Sequence, residues 1–267
     1  MTRPRATAGR VTGAGGCCLS YDVEGPEQAP ACLLLHSLGT TSALWSPQRE
    51  RLRQSFRVIR YDVRGHGRSR PAVGPYTLDQ LGLDALAVLD AVGVARAHVC
   101  GVSLGGLTAL WLGARAPDRV DRIVAANTAA RLGTAQGWTD RIDRVRSGGM
   151  ASIVDGGIAQ WFTERFRALE PETVERFRSM LLRCQVDGYA GACAVLRDAD
   201  VREGIGQIEA MTLVVTGRHD QATPPALGDL IRSRVSGARQ LDLDAAHLSN
   251  VEQAGAFTAG VLDFLRR

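Results

Sequence analysis

Short apolar runs alternate along this chain with longer segments in which apolar residues recur at helical spacing. Six runs are continuously apolar, as in parallel strands that are covered on both faces, and are expected to be buried. They lie at 31–36, 56–62, 97–103, 121–127, 211–217 and 238–244. A further run at 17–25 predicts an antiparallel edge strand paired with 9–13. This alternation predicts an α/β fold, with a mostly parallel twisted sheet flanked by helices and joined by right-handed crossovers.

Three helices are marked by local features of the sequence. Thr77 is followed three residues later by Gln80, which is the spacing of a capping box, and apolar residues then recur at helical intervals. A second helix is expected directly after residue 103 and should end before Pro117, because the residue that precedes a proline disfavours helical backbone. Residues 257–267 predict an amphipathic helix.

Residues 133–205 break the alternation of strands and helices. They contain no convincing buried strand, and their aromatic residues recur at roughly helical spacing with arginines between them. About 70 residues is too long for one crossover between strands. We therefore predict that 133–205 form a helical lid over the carboxyl edge of the sheet, and that 1–132 and 206–267 form the core. The alternative is a set of ordinary crossover helices.

The basic residues restrict the possible chemistry and partners. All 32 are arginine, so chemistry that needs a lysine amine is excluded, including a P-loop lysine and a Schiff base. The arginines are dispersed and the net charge is only +4, so nucleic acid is not an expected partner. Neither a monomer nor a homo-oligomer is favoured.

The cysteines and the apolar segments bear on location. The six cysteines form no C-x-x-C pair and are expected to be small buried hydrophobes, not disulfide or metal ligands. No apolar stretch is typical of a signal peptide or reaches 18 residues, so we expect a cytoplasmic protein with no membrane contact.

The segment GVSLG places Ser103 between a predicted strand and a predicted helix. The G-x-S-x-G pattern in this context is typical of a nucleophilic serine on a strained turn, with small residues needed at Gly101 and Gly105. The backbone N–H of Leu104, at the start of the helix, could then donate to an oxyanion. A glycine-rich turn without catalytic function is the alternative.

A serine nucleophile needs a base, and the base needs a third group that fixes its tautomer. His247 follows the last predicted strand, at the same edge of the sheet as Ser103, and is the predicted base. Asp220 follows the preceding strand and is the predicted orienting acid, with Asp242 and Asp244 as rivals. The loop after the first central strand, HSLGTTSALW, should supply a second oxyanion donor, for which Leu38 N–H is the candidate.

Several segments together resemble the 3-oxoadipate enol-lactonases, a family of α/β-hydrolases. They are HSLGTTSALWSPQ, YDVRGHGRS, GVSLGG, APDRVDRIVAANTAARLGT, GYAGACAVLRDADVR and DAAHLSNVEQ. The resemblance implies a catalytic triad of Ser103, Asp220 and His247, with no metal or organic cofactor. It also implies hydrolysis of a small enol-lactone that carries a free carboxylate, in protocatechuate and catechol breakdown.

A buried substrate carboxylate needs a paired donor. The candidates in the predicted lid are the indole N–H of Trp138 and the side chains of Arg141 and Arg144, although a core tryptophan and solvated arginines would fit the sequence equally well. Three other functions stay open: a general carboxylesterase or cofactor-free perhydrolase on the same triad, a carbon–carbon hydrolase, and a ligand receptor that retains the triad.

Overall fold

An eight-stranded, mostly parallel sheet forms the centre of the protein in a computed structural model that describes residues 7–70 and 74–267. The strands are β1 (Thr7–Thr12), β2 (Cys18–Glu24), β3 (Ala31–Leu35), β4 (Arg57–Tyr61), β5 (Ala97–Val102), β6 (Val120–Ala126), β7 (Met211–Gly217) and β8 (Arg239–Leu243). Their order across the sheet is β1-β2-β4-β3-β5-β6-β7-β8. β2 is antiparallel to both β1 and β4, and the other pairs are parallel. The predicted α/β architecture is confirmed.

Eleven α-helices connect or flank these strands in the described parts of the chain. They are α1 (Ser46–Leu52), α2 (Leu78–Ala91), α3 (Leu104–Arg115), α4 (Ala135–Gly148), α5 (Val154–Trp161), α6 (Glu164–Leu169), α7 (Pro171–Leu182), α8 (Val186–Asp198), α9 (Pro225–Arg234), α10 (Ser249–Glu252) and α11 (Ala254–Arg266). None of the helices in the described ranges is both long enough and apolar enough to cross a membrane.

Local features of the sequence account for where the helices begin and end. Thr77 accepts the N–H of Gln80 at 3.2 Å, and the Gln80 side chain accepts the N–H of Thr77 at 3.0 Å, so the predicted capping box is present at the start of α2. α3 ends at Arg115, before Pro117. α11 begins at Ala254, three residues earlier than the amphipathic pattern predicts.

The continuously apolar runs become the buried strands, with one exception. Every residue of β3 and β5 is buried, because helices cover both faces of the sheet centre. The prediction of a buried strand at 238–244 is wrong, because β8 exposes Arg239 and Asp242 and buries only Leu243. β8 lies at the edge of the sheet with β7 as its single neighbour, so its polar side chains reach water.

The helices α4–α8 lie between β6 and β7 along the chain, and no strand occurs between residues 133 and 205, all of which the structure describes. α4 packs against α8, and α5 against α7. Parallel strands carry their following loops at one edge, so the segments after β3, β5, β6, β7 and β8 all meet there. Of the core predicted at 1–132 and 206–267, residues 1–6 and 71–73 lie outside the described residues.

Candidate active site

Ser103 occupies a strained turn between β5 and α3, with φ 57° and ψ −115°. Positive φ is uncommon for a residue with a side chain, and such outliers cost of order 1–3 kcal/mol. A Cβ atom on Gly101 would lie 2.1 Å from the carbonyl oxygen of Gly105, and one on Gly105 would lie 2.2 Å from that of Leu35. No side chain fits at either position, so the glycines allow the turn to form.

Hydrogen bonds from neighbouring segments hold the strained backbone of Ser103. Its N–H donates to the carbonyl oxygen of Ala126 at 2.9 Å, which ties the turn to the end of β6. Its own carbonyl oxygen accepts the N–H of Leu107 at 2.9 Å and the hydroxyl of Thr128 at 2.8 Å. The main chain of Ser103 is therefore fixed by its surroundings, and its side chain is left to face the cavity.

His247 and Asp220 are in direct contact. His247 lies in the segment after β8 and Asp220 in the loop after β7, and the distance from His247 Nδ1 to Asp220 Oδ2 is 2.9 Å. Both side chains are buried. An ionised carboxylate only accepts hydrogen bonds, so the imidazole carries its proton on Nδ1 and leaves Nε2 as the basic atom.

Four further hydrogen bonds surround the Asp220 carboxylate. It accepts the Thr223 hydroxyl at 2.5 Å, the Asn127 side-chain amide at 3.0 Å, and the backbone N–H groups of Ala222 and Thr223 at 2.9 and 2.8 Å. Burial alone would raise the pKa of Asp220, but the adjacent His247 and the hydrogen bonds outweigh burial and lower that pKa. Asp220 therefore stays ionised and holds the imidazole in one orientation.

The two rival aspartates are engaged elsewhere. Asp242 accepts the hydroxyl of Thr216 at 2.5 Å, and Asp244 pairs with the exposed His219 at 2.8 Å. Both of these aspartates are exposed to solvent. The structure thus places Asp220, and neither rival, against His247.

Ser103 and His247 line one cavity of about 370 Å³, which is also lined by residues of α4, α5 and α8. Among the described residues no hydrogen bond joins the Ser103 hydroxyl to the imidazole. Catalytic hydrogen bonds are often long or poorly aligned until a substrate binds. The two side chains share a cavity that is large enough for a small organic acid.

The two predicted oxyanion donors come from different segments: Leu38 from the loop after β3, and Leu104 from the first position of α3. Leu38 lines the cavity, whereas the side chain of Leu104 is fully buried beneath it and does not. Within the described parts of the chain, neither backbone N–H is donated to a protein acceptor. Both donors are therefore free for a ligand.

Arg141 enters the same cavity from α4. Its Nε donates to the Tyr189 hydroxyl at 2.7 Å, and its guanidinium carbon lies 5.7 Å from the centre of the Tyr189 ring. Among the described residues no carboxylate lies within 4 Å of this guanidinium. Several other arginines, such as Arg49, Arg60 and Arg64, do pair with a carboxylate. Arg141 is thus a half-buried cation without a counter-ion among the residues that the structure describes.

The other two residues predicted to bind a substrate carboxylate behave differently. The Trp138 indole lines the cavity, but its N–H donates to the carbonyl oxygen of Leu132 at 2.6 Å, so the prediction that it donates to substrate is wrong. Arg144 is exposed and lines a separate hollow of about 350 Å³ that Arg141 also borders. Arg144 follows Arg141 by three residues on α4 and does not line the cavity that holds Ser103, so its contact with substrate stays a prediction.

Sequence reasoning missed Asn127, which connects three parts of the site. It follows β6 with φ 44°, donates to Asp220 and to the carbonyl oxygen of Ala246, and accepts the hydroxyl of Ser249 at 2.5 Å. Asparagine tolerates positive φ better than most residues, so its position at the end of a strand could have marked it. Thr223 was missed too, although aspartate often accepts the backbone N–H two residues on in a turn, as Asp220 does from Ala222, which places Thr223 beside the carboxylate.

Comparison with known proteins identifies the family. The sequence profile described as alpha/beta hydrolase fold matches residues 30–254. The chain is 39% identical over 249 residues to 3-oxoadipate enol-lactonase 2 of Acinetobacter baylyi, and the match covers 93% of each chain. The protein belongs to the 3-oxoadipate enol-lactonase family of α/β-hydrolases.

Solved structures agree with this membership of the enol-lactonase family. The crystal structure of the enol-lactonase from Burkholderia xenovorans LB400 matches with a TM-score of 0.95 and 40% identity, over 97% of this chain and all of that one. A thermophilic esterase from Thermogutta terrifontis matches with a TM-score of 0.91 and 26% identity, over 97% and 98% of the two chains. As an enol-lactonase family member, the protein is an enzyme, and the predicted fold and family are confirmed.

Proposed function

We propose that the protein hydrolyses 3-oxoadipate enol-lactone to 3-oxoadipate in protocatechuate and catechol breakdown, through a triad of Ser103, His247 and Asp220. The coarser assignment, hydrolysis of an ester or lactone bond, follows from the family. The observation that supports the specific substrate is Arg141. It lines the cavity that holds Ser103 and His247, and it has no counter-ion among the described residues. A general esterase has no need for such a group, whereas a lactone with an acetate side chain does.

The first half of the reaction forms an acyl-enzyme. The Ser103 hydroxyl attacks the lactone carbonyl carbon while His247 Nε2 takes its proton, and Asp220 stabilises the imidazolium that results. The tetrahedral oxyanion accepts hydrogen bonds from the N–H groups of Leu38 and Leu104. Its collapse breaks the ring C–O bond, and the proton on His247 passes to the departing enol oxygen.

The second half regenerates the enzyme. The enol remains tethered through the acyl group and tautomerises to the ketone. Water enters the cavity, loses a proton to His247 and attacks the acyl carbon, and the same two N–H groups hold the second oxyanion. Ser103 leaves with the proton from His247, which releases 3-oxoadipate with a second carboxylate.

Selection of the substrate falls to the inserted helices, and we propose that residues 133–205 form a lid on the core. Arg141 would pair with the acetate carboxylate, and its planar guanidinium can form two parallel hydrogen bonds with it. The hydrogen bond from Arg141 Nε to Tyr189 fixes the orientation of the guanidinium before a substrate arrives. The Trp138 ring supplies an apolar wall for the lactone ring.

The test is a comparison of two substrates on the purified enzyme. Values of kcat/KM are measured for 3-oxoadipate enol-lactone and for p-nitrophenyl acetate, an uncharged ester that uses the same triad. We expect a preference for the lactone of at least about 10²-fold, since one buried ion pair that forms only with the lactone supplies several kcal/mol. Equal values, or a preference for the ester, would favour a general carboxylesterase and overturn the proposal.

A further inference from the structure

Two histidines outside the triad lie beneath the loop that carries Leu38. His36 directly follows β3, and His66 lies in the turn after β4. Both are fully buried, with their ring centres 5.5 Å apart. Neither lines the catalytic cavity, and the mechanism above uses neither of them.

His36 holds the peptide plane that contains the Leu38 N–H. Its Nδ1–H donates to the carbonyl oxygen of Ser37 at 2.8 Å, and its Nε2 accepts the N–H of Val63 at 2.8 Å. The same Ser37 oxygen accepts the hydroxyl of Thr40 at 2.7 Å and its N–H at 3.1 Å. In a trans peptide the N–H points opposite to the C=O, so fixing the Ser37 oxygen aims the Leu38 N–H.

His66 holds the next peptide plane. Its Nε2 accepts the N–H of Gly39 at 3.1 Å, and its Nδ1–H donates to the carbonyl oxygen of Arg64 at 3.1 Å. These two contacts require a neutral ring with its proton on Nδ1, because a proton on Nε2 would oppose the Gly39 N–H. Burial, with His36 nearby, lowers the pKa of His66 to about 3, so the ring stays neutral at working pH.

The loop has little freedom to satisfy Gly39 in another way. Gly39 has φ 73°, and a Cβ atom there would lie 2.6 Å from Leu181 and 3.1 Å from Tyr189. The side chains of α7 and α8 therefore pack closely against the loop. A backbone N–H that is buried without a partner costs about 1–3 kcal/mol. The imidazole of His66 is the acceptor that the loop needs.

We propose that His66 is a positioning residue for the oxyanion hole, which it orients together with His36 by fixing the two peptide planes on either side of Leu38. This inference rests on the proposed role of the Leu38 N–H as an oxyanion donor. Loss of the Gly39 contact lets the second plane rotate, and the Leu38 N–H then no longer points at the position where negative charge develops.

Two substitutions separate this role from simple filling of space. In His66→Gln the side-chain oxygen can reach the former position of Nε2 and still accept the Gly39 N–H. In His66→Asn the shorter side chain can replace Nδ1 but not Nε2. His98→Gln is the matched control, since His98 is a buried histidine at the start of β5 that does not line the cavity.

The experiment uses p-nitrophenyl acetate as substrate and phenylboronic acid as the probe, because the boronate adduct of a serine places an oxygen in the oxyanion hole. For His66→Asn we expect kcat to fall about 10- to 100-fold with KM within about twofold, because geometric misplacement of this kind costs up to about 10²-fold. The inhibition constant of phenylboronic acid should weaken by a similar factor. His66→Gln should retain kcat within about fivefold, and His98→Gln should match the wild type.

Three results would overturn the inference: equal losses of kcat in both His66 variants at matched melting temperatures, a change in KM alone, or boronate binding that stays unchanged while kcat falls. If His66→Asn does not fold, kcat of His66→Gln is compared with kcat of His98→Gln. Because the introduced amide oxygen in His66→Gln can still accept the Gly39 N–H, a fall in kcat of more than about tenfold in this variant alone would contradict the inference. A wild-type enzyme that hydrolyses neither the ester nor the lactone would refute the proposed function itself.

Discussion

The carboxyl edge of the sheet and the helices α4–α8 above it are built on different principles. At the sheet edge, the Ser103 backbone and the Asp220 carboxylate are each held by several hydrogen bonds. The His247 ring is held by Asp220, and its backbone N–H donates to Gln160 of α5 at 3.4 Å. In the helices, Arg141 depends on a single side-chain contact with Tyr189. We therefore expect catalysis to depend mainly on the residues at the strand ends, and the choice of substrate mainly on Arg141 of α4.

The largest expected effect comes from removing the nucleophile. Ser103→Ala should lower kcat by about 10⁴ or more on both the enol-lactone and p-nitrophenyl acetate, because triad members act as a unit. Turnover of both substrates is measured at saturating concentration, with the melting temperature as a check on folding. A variant that keeps even a tenth of the wild-type rate on either substrate would show that the edge of the sheet does not supply the nucleophile.

Asp220→Asn should lower kcat by up to about 10⁴, again on both substrates, because the amide favours the wrong imidazole tautomer. Asp242→Asn is the matched control: it changes an aspartate of the same strand edge that does not touch His247, and its kcat should equal that of the wild type. Equal losses in the two variants would argue for a general electrostatic effect in place of a specific contact.

The helices should respond in a different way. Arg141→Gln should lower kcat/KM for the enol-lactone by about 10²-fold and leave p-nitrophenyl acetate within about threefold, since only the lactone has a carboxylate to pair. Arg146→Gln, an exposed arginine of the same helix that lies outside the cavity, should change neither value. Parallel losses on both substrates would contradict the separation of reactivity from substrate choice.

A smaller effect is expected from Arg144→Gln. Arg144 is exposed and borders only the outer hollow, so it can act on an anionic substrate only through a screened field. Lactone kcat/KM should fall by less than about threefold at low salt, and the difference from wild type should vanish near 0.5 M salt. A loss as large as that of Arg141→Gln would mean that Arg144 contacts the substrate directly.

The buried histidines His36 and His66 should make the stability of the protein depend on pH. Burial lowers the pKa of both His36 and His66 in the folded state, whereas the unfolded chain titrates near the ordinary value of about 6.5. Below that pH the unfolded state binds more protons, so the free energy of unfolding should fall by up to about 1.4 kcal/mol per pH unit for each histidine. Asp62 and Asp220 have lowered pKa values, so their contributions to the free energy of unfolding are lost only at lower pH.

Urea denaturation at pH 7.5, 6.5 and 5.5 measures this stability. A free energy of unfolding that stays constant or rises between pH 6.5 and 5.5 would mean that the two imidazoles accept protons in the folded state. Such a result would also remove the neutral tautomers on which the positioning of Leu38 depends.

The contrast between the two regions also explains what the sequence could predict. The positions of the three residues proposed as a triad were predictable because the constraints on them are simple: the Ser103 turn needs glycines at fixed positions, and parallel strands bring Asp220 and His247 to one edge. The strands of the sheet centre were predictable for a similar reason, since burial on both faces demands continuous apolar runs. β8 was predicted wrongly because an edge strand is free of that demand.

The helices offered no comparable constraint. Whether Arg141 or Arg144 faces Ser103 depends on how α4 rotates against α8, which is a tertiary property that helical spacing does not determine. The engagement of the Trp138 N–H by Leu132 depends on the path of the chain just before α4. The Asn127 side-chain amide contacts Asp220 and Ser249, and the His66 ring accepts the N–H of Gly39. These partners are distant in the chain, so the neighbouring residues do not reveal them.

The most direct test of the central claim, that Ser103 is an activated nucleophile, is covalent labelling with diisopropyl fluorophosphate followed by peptide mapping. We predict one phosphoryl group per chain on Ser103, with loss of activity in proportion to labelling and protection by excess 3-oxoadipate. Complete inactivation with the label on another residue, or full activity in a chain labelled at Ser103, would contradict it.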